Sequence, residues 1–196
     1  KALVAKGHEV FGVRRSPEGL AELEAAGIKP LIADVTQPET LAALPGPFDW
    51  VVNCVSSSKG GADVYRQVYL DGTKNLLAWL ASTPPKKYIY TSSTSVYGQT
   101  DGMPVKENAT TMPVNDTSKV LVETEKLLLQ AFQTTKFPAI ILRVAGIYGP
   151  ERGHLFHQFL KDEARIHGKG DRIINMVHLD DAVGIIMAAL KGGHPG

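Results

Sequence analysis

Arg14 and Arg15, followed by Ser16, are the first residues in the chain equipped to hold a ligand. A guanidinium fork matches the oxygens of a phosphate, so two of them side by side suit a phosphorylated molecule. Further polar sets follow at intervals: Asp34-Val35, then Cys54-Val55-Ser56-Ser57-Ser58, then Ser92-Ser93. Each stands directly after a short apolar run. The pattern matters more than any one member, because ligands of doubly wound sheets bind outside the carboxyl ends of the strands. Cys54, inside an apolar run, has the surroundings of a small hydrophobe rather than of a nucleophile. His154 and His157 are spaced i, i+3 with no third ligand nearby, the pattern of a solvated helix face and not of a metal site. Glu107, Asp116 and Glu123 do not form a paired-carboxylate arrangement.

These residues need elements to position them, and the hydrophobic pattern supplies alternating helices and strands. Residues 1–6 read as the tail of a helix closed by Gly7. Strands are expected at 9–13, 30–33, 49–55, 87–92, 138–143 and 172–177. The 49–55 run is almost wholly apolar, which suggests a central position. Helices are expected at 17–26, 39–44, 63–81, 117–133, 155–166 and from Asp180 or Asp181, as N-cap, to Leu190. The segments after 92 and after 143 read as loops. The expected fold is α/β: a doubly wound parallel sheet over 1–150, with 151–196 opening a small substrate region interleaved with the last sheet elements.

Composition narrows the function. The chain has 196 residues, 43% of them hydrophobic, and a formal charge of +1. No basic stripe with interleaved aromatics points to nucleic acid, and no apolar run reaches the ~20 residues of a membrane span. The single cysteine excludes an internal disulfide in this chain and fits a reducing, cytoplasmic setting.

Four segments carry a family resemblance. Tyr88 to Gly98 reads YIYTSSTSVYG, Leu142 to Pro150 reads LRVAGIYGP, and Val177 to Ala182 reads VHLDDA. Gly72 to Leu77, GTKNLL, adds a fourth. Together they resemble the extended short-chain dehydrogenase/reductases, the NAD-dependent epimerase/dehydratase group, across essentially the whole chain. The resemblance implies a Rossmann-like fold binding NAD or NADP. Within that frame the chain starts in the helix after the first strand, so that strand and its Gly-rich loop are absent from it, and it stops where the substrate region would continue. Two outcomes are then open for 9–13 and 49–55: an unfilled space between them, or direct pairing.

The resemblance also assigns roles. Arg14 and Arg15 stand where an acidic residue would take the ribose 2′-hydroxyl of NAD, so a 2′-phosphate, and hence NADP over NAD, is implied. Asp34 and Val35 match the pair beside adenine. Cys54, Val55, Ser56, Val144 and Ile147 line the cofactor's path. Ser93 matches the catalytic serine, and Lys119 the lysine of the Tyr-x-x-x-Lys helix pair. The tyrosine's own position is Asn115, an amide with no useful proton-transfer pKa. Asp116 and Tyr97 are candidate substitutes. His178 and Glu123 match structural positions. The expected function is an NADP-dependent oxidoreductase or epimerase/dehydratase for a sugar-like or other hydroxylated small molecule. The alternatives are a non-catalytic NADP-binding sensor or scaffold, and a pseudo-enzyme acting as a dimer partner. A homodimer through 63–81 and 117–133 is the expected assembly.

Overall fold

Short apolar runs punctuated by glycine and proline build a sheet in separate pieces. The computed structural model describes residues 1–196 apart from Ser58, Lys59, Glu151, Ile166, His167 and Arg172, and apart from the side chain of His154. Ser58 of the serine run, Ile166 of the expected helix and Arg172 of the expected strand therefore lie outside the described residues.

The chain opens with a 3-10 turn, Val4–Lys6, closed by Gly7 in the left-handed conformation (φ 82°), the helix stop its sequence suggests. Strand β1 (Phe11–Arg14) leads through helix α1 (Leu20–Ala25) to β2 (Lys29–Ile32), which pairs parallel with β1 from Phe11–Lys29 to Arg14–Ile32. Helix α2 (Pro38–Ala42), with proline in its first turn, returns the chain to β3 (Trp50–Asn53).

The helix expected at 63–81 is three pieces: α3 (Ala62–Tyr65), a π-helical turn (Arg66–Asp71) and α4 (Gly72–Leu80). The cause lies at Gly72, where an added Cβ would come 2.8 Å from Val35 Cγ2. The bare backbone lets α4 sit against Val35, and the wide turn before it absorbs the extra residue. After α4 come β4 (Lys87–Ser93), a 3-10 turn (Thr94–Val96), α5 (Asp116–Thr135) and β5 (Ala139–Val144).

Strands β3, β4 and β5 form one parallel sheet with β4 in the middle. The expectation that 49–55 is central is corrected: among the described residues β3 pairs with β4 alone. Its apolar side chains are half-buried: Val51 packs against one core cluster, Trp50 and Val52 against the other. Period-two alternation splits β4 between the two layers. Tyr88 and Tyr90 pack with Leu80, Leu128, Phe137 and Ala139 under α4 and α5. Ile89 points the other way, into a cluster with Ile140, Ala189, Leu190 and Leu3.

Two further corrections concern the end of the chain. The loop expected after β5 contains β6 (Gly146–Tyr148), which pairs parallel with β7 (Met176–His178), and that is the described extent of the strand expected at 172–177. Met176 covers Gly146 so closely that an added Cβ would meet its Sδ at 2.7 Å, and this pairing partner is invisible locally. Helix α6 spans His154–Leu160 and stops well short of the expected 166. Helix α7 (Leu179–Gly192) is capped by His178, whose Nδ1 accepts from Asp180 N at 3.3 Å, and not by Asp180 or Asp181. Lys87 donates to the carbonyls of Ala189 and Gly193, which fastens α7 to the base of β4.

Sheet β1-β2 and sheet β3-β4-β5 are not hydrogen-bonded to each other. Of the two outcomes left open by the sequence, direct pairing is thereby excluded. Side-chain contacts still join the halves. Asn75 Nδ2 on α4 donates to Val35 O at 2.8 Å, and Phe11, Phe48 and Trp79 form a chain of ring contacts. Val13 and Cys54 are exposed along the unpaired stretch.

Candidate active site

Within each sheet, parallel pairing puts the carboxyl ends of neighbouring strands on one edge, so the polar sets of β1 and β2, and those of β3 and β4, stand side by side. At the end of β1, Arg14 and Arg15 are exposed, and their guanidinium groups make no hydrogen bond or ion pair with any described residue. The Arg14 guanidinium lies over Gly19, whose missing Cβ leaves it room. At the end of β2, Asp34 Oδ1 accepts from both the backbone N and the hydroxyl of Thr36, at 2.9 and 2.8 Å. This turn fixes Val35 against Gly72.

At the end of β3 the buried Asn53 does two jobs. Its Nδ2 donates to Tyr88 OH at 2.8 Å and its Oδ1 accepts from Val55 N at 3.2 Å, shaping the Cys54-Val55-Ser56 turn. Cys54 is exposed, yet the surrounding chain crowds the thiol and pushes its pKa up, away from an activated thiolate. Ser57 N donates to Tyr69 OH at 3.2 Å, and Tyr69 stacks on Tyr65 across the π turn, with ring centroids 4.8 Å apart.

Ser93 ends β4. Its Oγ accepts from Ser95 N at 3.1 Å, which caps the 3-10 turn, and its own O–H donates to no described residue. Asn115 is not on the helix at all. It is the N-cap of α5, with φ −132° and ψ 163°, and its Oδ1 accepts from Ser118 N and from Thr117 Oγ1, both at 2.8 Å. Asparagine is among the best residues for that position, which is a sufficient local reason for it to be there. Lys119 lies one turn on. Its Nζ donates to Asp116 Oδ1 at 2.8 Å, and the bond holds the Asp116 carboxyl below its ordinary pKa. Both partners are well exposed, so the pair is a weak tether.

Among the candidate substitutes for the tyrosine, neither is poised. Asp116 is stabilised as the carboxylate by Lys119. Tyr97 OH accepts from Arg143 Nη1 at 2.7 Å and donates to Lys106 O at 3.3 Å. Val144 is half-buried at the end of β5, and half-buried Ile147 pairs with Val177. Glu123 joins Arg66 in an exposed fork-to-carboxylate pair that links α5 to the π turn. His178, besides capping α7, packs edge-on against Tyr148.

One network escaped the sequence reading. Glu125, on α5, is 2% exposed and pairs with Arg143 at the end of β5. The signal was available: Leu121, Glu125 and Leu128 share one helical stripe, and a carboxylate in a core stripe needs a partner.

A sequence model of the NAD dependent epimerase/dehydratase family matches residues 1–196. The chain belongs to this family. It is 30% identical over 203 residues to Protein YeeZ of Escherichia coli K12, covering 98% of this chain and 69% of YeeZ. It is 28% identical over 139 residues to the human dTDP-D-glucose 4,6-dehydratase, covering 67% of this chain and 39% of that enzyme. In fold it is similar to a double mutant of DesIV, a dTDP-glucose 4,6-dehydratase from Streptomyces venezuelae solved with NAD and DAU bound. The TM-score there is 0.84 at 22% identity, over 98% of this chain and 67% of that one. The Rossmann-like fold is thus established, and homologues include sugar-nucleotide dehydratases. Among the described residues no helix is long and apolar enough to cross a membrane.

Proposed function

We propose that this chain forms the cofactor-binding part of an NADP-dependent epimerase, dehydratase or reductase acting on a nucleotide sugar or similar hydroxylated molecule in the cytoplasm. The observation that carries it is the exposed state of the Arg14 and Arg15 guanidinium groups at the carboxyl end of β1, without a partner among the described residues. Two guanidinium groups without protein partners fit a 2′-phosphate, and DesIV, a neighbour in fold, is described with NAD bound. Asp34 and Val35 would flank the adenine. Cys54, Val55, Ser56, Val144 and Ile147 would line the path toward the nicotinamide. When bound, the nicotinamide would accept or donate a hydride at the substrate carbon.

The chain's own residues supply the rest. The Ser93 hydroxyl has a free proton to donate to a substrate oxygen. Lys119, on its weak tether to Asp116, would move to the nicotinamide ribose. Asn115 transfers no proton, and while it caps α5 its acceptor is occupied. A proton would reach the substrate through solvent or through Asp116.

The engagement of Asn115, and the absence of a poised acid among Asp116 and Tyr97, favours a second reading: a non-catalytic NADP-binding sensor or scaffold. Fluorescence titration of the full-length protein with NADPH and NADH tests the cofactor. Tighter NADPH binding is expected, and Arg14→Ala is expected to erase about tenfold to a hundredfold of it, the value of a charge-assisted phosphate contact. Equal dissociation constants would overturn the NADP assignment. Consumption of NADPH with any member of a carbonyl and nucleotide-sugar panel would decide for the enzyme over the sensor.

A further inference from the structure

Arg143 sits where four parts of the molecule meet. Its Nε donates to both carboxylate oxygens of Glu125, at 3.2 and 3.1 Å, and its Nη2 to Oε2 at 2.8 Å. Nη1 donates to Tyr97 OH at 2.7 Å and to the Glu107 carbonyl at 3.0 Å. The guanidinium also lies over the Tyr97 ring, 5.0 Å from its centroid. Glu125 takes one further bond, from the Ser92 hydroxyl at 2.6 Å. These contacts join the end of β5, the end of β4 next to Ser93, helix α5 behind Lys119, and the long segment that runs from Tyr97 to Asn115.

We propose that the Arg143–Glu125 pair is a positioning device: it sets the Ser93 strand end against the helix that carries Lys119, and latches the 97–110 segment beside them through Tyr97 and Glu107. The segment has little else to hold it. Residues 99–108 are all exposed and contain no helix or strand. Its return is pinned at Met112, whose N donates to Val96 O at 3.0 Å. Arg143 and Tyr97 grip the middle together: the guanidinium lies over the Tyr97 ring, Nη1 binds the tyrosine hydroxyl and the Glu107 carbonyl, and that hydroxyl donates to Lys106 O. A lysine could satisfy the Glu125 charge but could not hold those three partners together. The carboxylate is almost fully enclosed, so the pair is little screened and rigid, unlike the exposed Asp116–Lys119 and Arg66–Glu123 pairs.

Hydrogen exchange on the full-length protein, with Tyr97→Phe and Arg143→Lys beside Arg66→Gln as control, separates a latch from general stabilisation. Tyr97→Phe leaves the buried ion pair and the Arg143–Glu107 bond intact and removes the tyrosine hydroxyl's two bonds, to Arg143 and to Lys106 O. It is expected to speed exchange of amides within 98–110 by about tenfold or more, the worth of a hydrogen bond to a charged group, with β4, β5 and α5 unchanged. Arg143→Lys keeps the charge and should match or exceed that local loosening, while Arg66→Gln leaves the segment as in the parent. Parent-like exchange of 98–110 in both Tyr97→Phe and Arg143→Lys, or loosening spread evenly over the core, would overturn the latch.

The link to Ser93 and Lys119 rests on the cofactor reading above and is judged separately by NADPH titration. A parent that binds NADPH and an Arg143→Lys protein that binds it several-fold more weakly support the link. Unchanged affinity refutes it and leaves the latch to the exchange result. A parent that fails to bind NADPH refutes the cofactor reading, not the latch.

Discussion

Asn115 carries two accounts of the same residue. By the family resemblance it would stand in the place of an acid, and by geometry it starts a helix. The geometric account makes a prediction of its own. Asn115→Ala should cost about 1 kcal/mol of stability in denaturant unfolding of the full-length protein, and Asn115→Asp almost nothing, since aspartate caps equally well. The two accounts meet in Asn115→Tyr. That variant should lose a similar amount of stability through the cap, while raising any carbonyl reduction by about 10²–10⁴-fold if the pocket is built for proton transfer. NADPH consumption and unfolding midpoints measured together check it. Unchanged turnover with NADPH binding preserved would mean the site serves another purpose. Residue types at this scale were readable in the sequence: the arginine pair, Ser93 and Lys119. Two of the partners stand only three residues away, Ser118 N for Asn115 and Asp116 for Lys119, and both follow ordinary helix-start patterns that the reading did not use.

Among elements, the segment from Tyr97 to Asn115 depends on one close approach. A Cβ at Gly98 would stand 2.2 Å from Met112 O, and backbone cannot swing aside as a side chain can. Gly98→Ala should therefore displace the returning chain at Met112, break its bond to Val96 O, and release the segment. Overpacking of this kind costs about 1–3 kcal/mol. Limited proteolysis should show new cleavage between 99 and 112, and resistance equal to the parent would count against the contact. The sequence reading placed β4, α5 and β5 well because each is long, strongly periodic and buried on a definite face. It missed β6 and drew α6 and β7 too long, and a three-residue strand such as β6 has no period to detect and exists only when its partner arrives.

Across the whole molecule, the layer between the sheet and α4–α5 is rich in buried phenols. Burial raises the pKa of Tyr69, Tyr88 and Tyr90 above the ordinary tyrosine value. The sign follows from linkage. A group whose folded pKa is raised holds its proton better in the folded state. Its contribution is fully present below the unfolded pKa of about 10 and is lost as pH rises beyond it. The full-length protein should accordingly lose stability steeply above about pH 10, and tyrosinate absorbance should appear in step with unfolding. Smooth ionisation of all tyrosines near pH 10 with the fold intact would contradict the burial.

By itself the sequence determined the α/β class, the family and the order of the main elements along the chain. Those features follow from hydrophobic period and from motif residues close together in the chain. Tertiary structure decided the rest: that β3 pairs on one edge only, that β1-β2 forms its own sheet, that His178 caps α7, and that Glu125 reaches Arg143 and Ser92. The Glu125 contacts join groups far apart in sequence at hydrogen-bond distance, and the strand pairings depend on which distant strands meet. Burial also explains the Glu125–Arg143 pairing, since a carboxyl enclosed in a core stripe must either keep its proton or meet a cation, and Arg143 is the cation at hand.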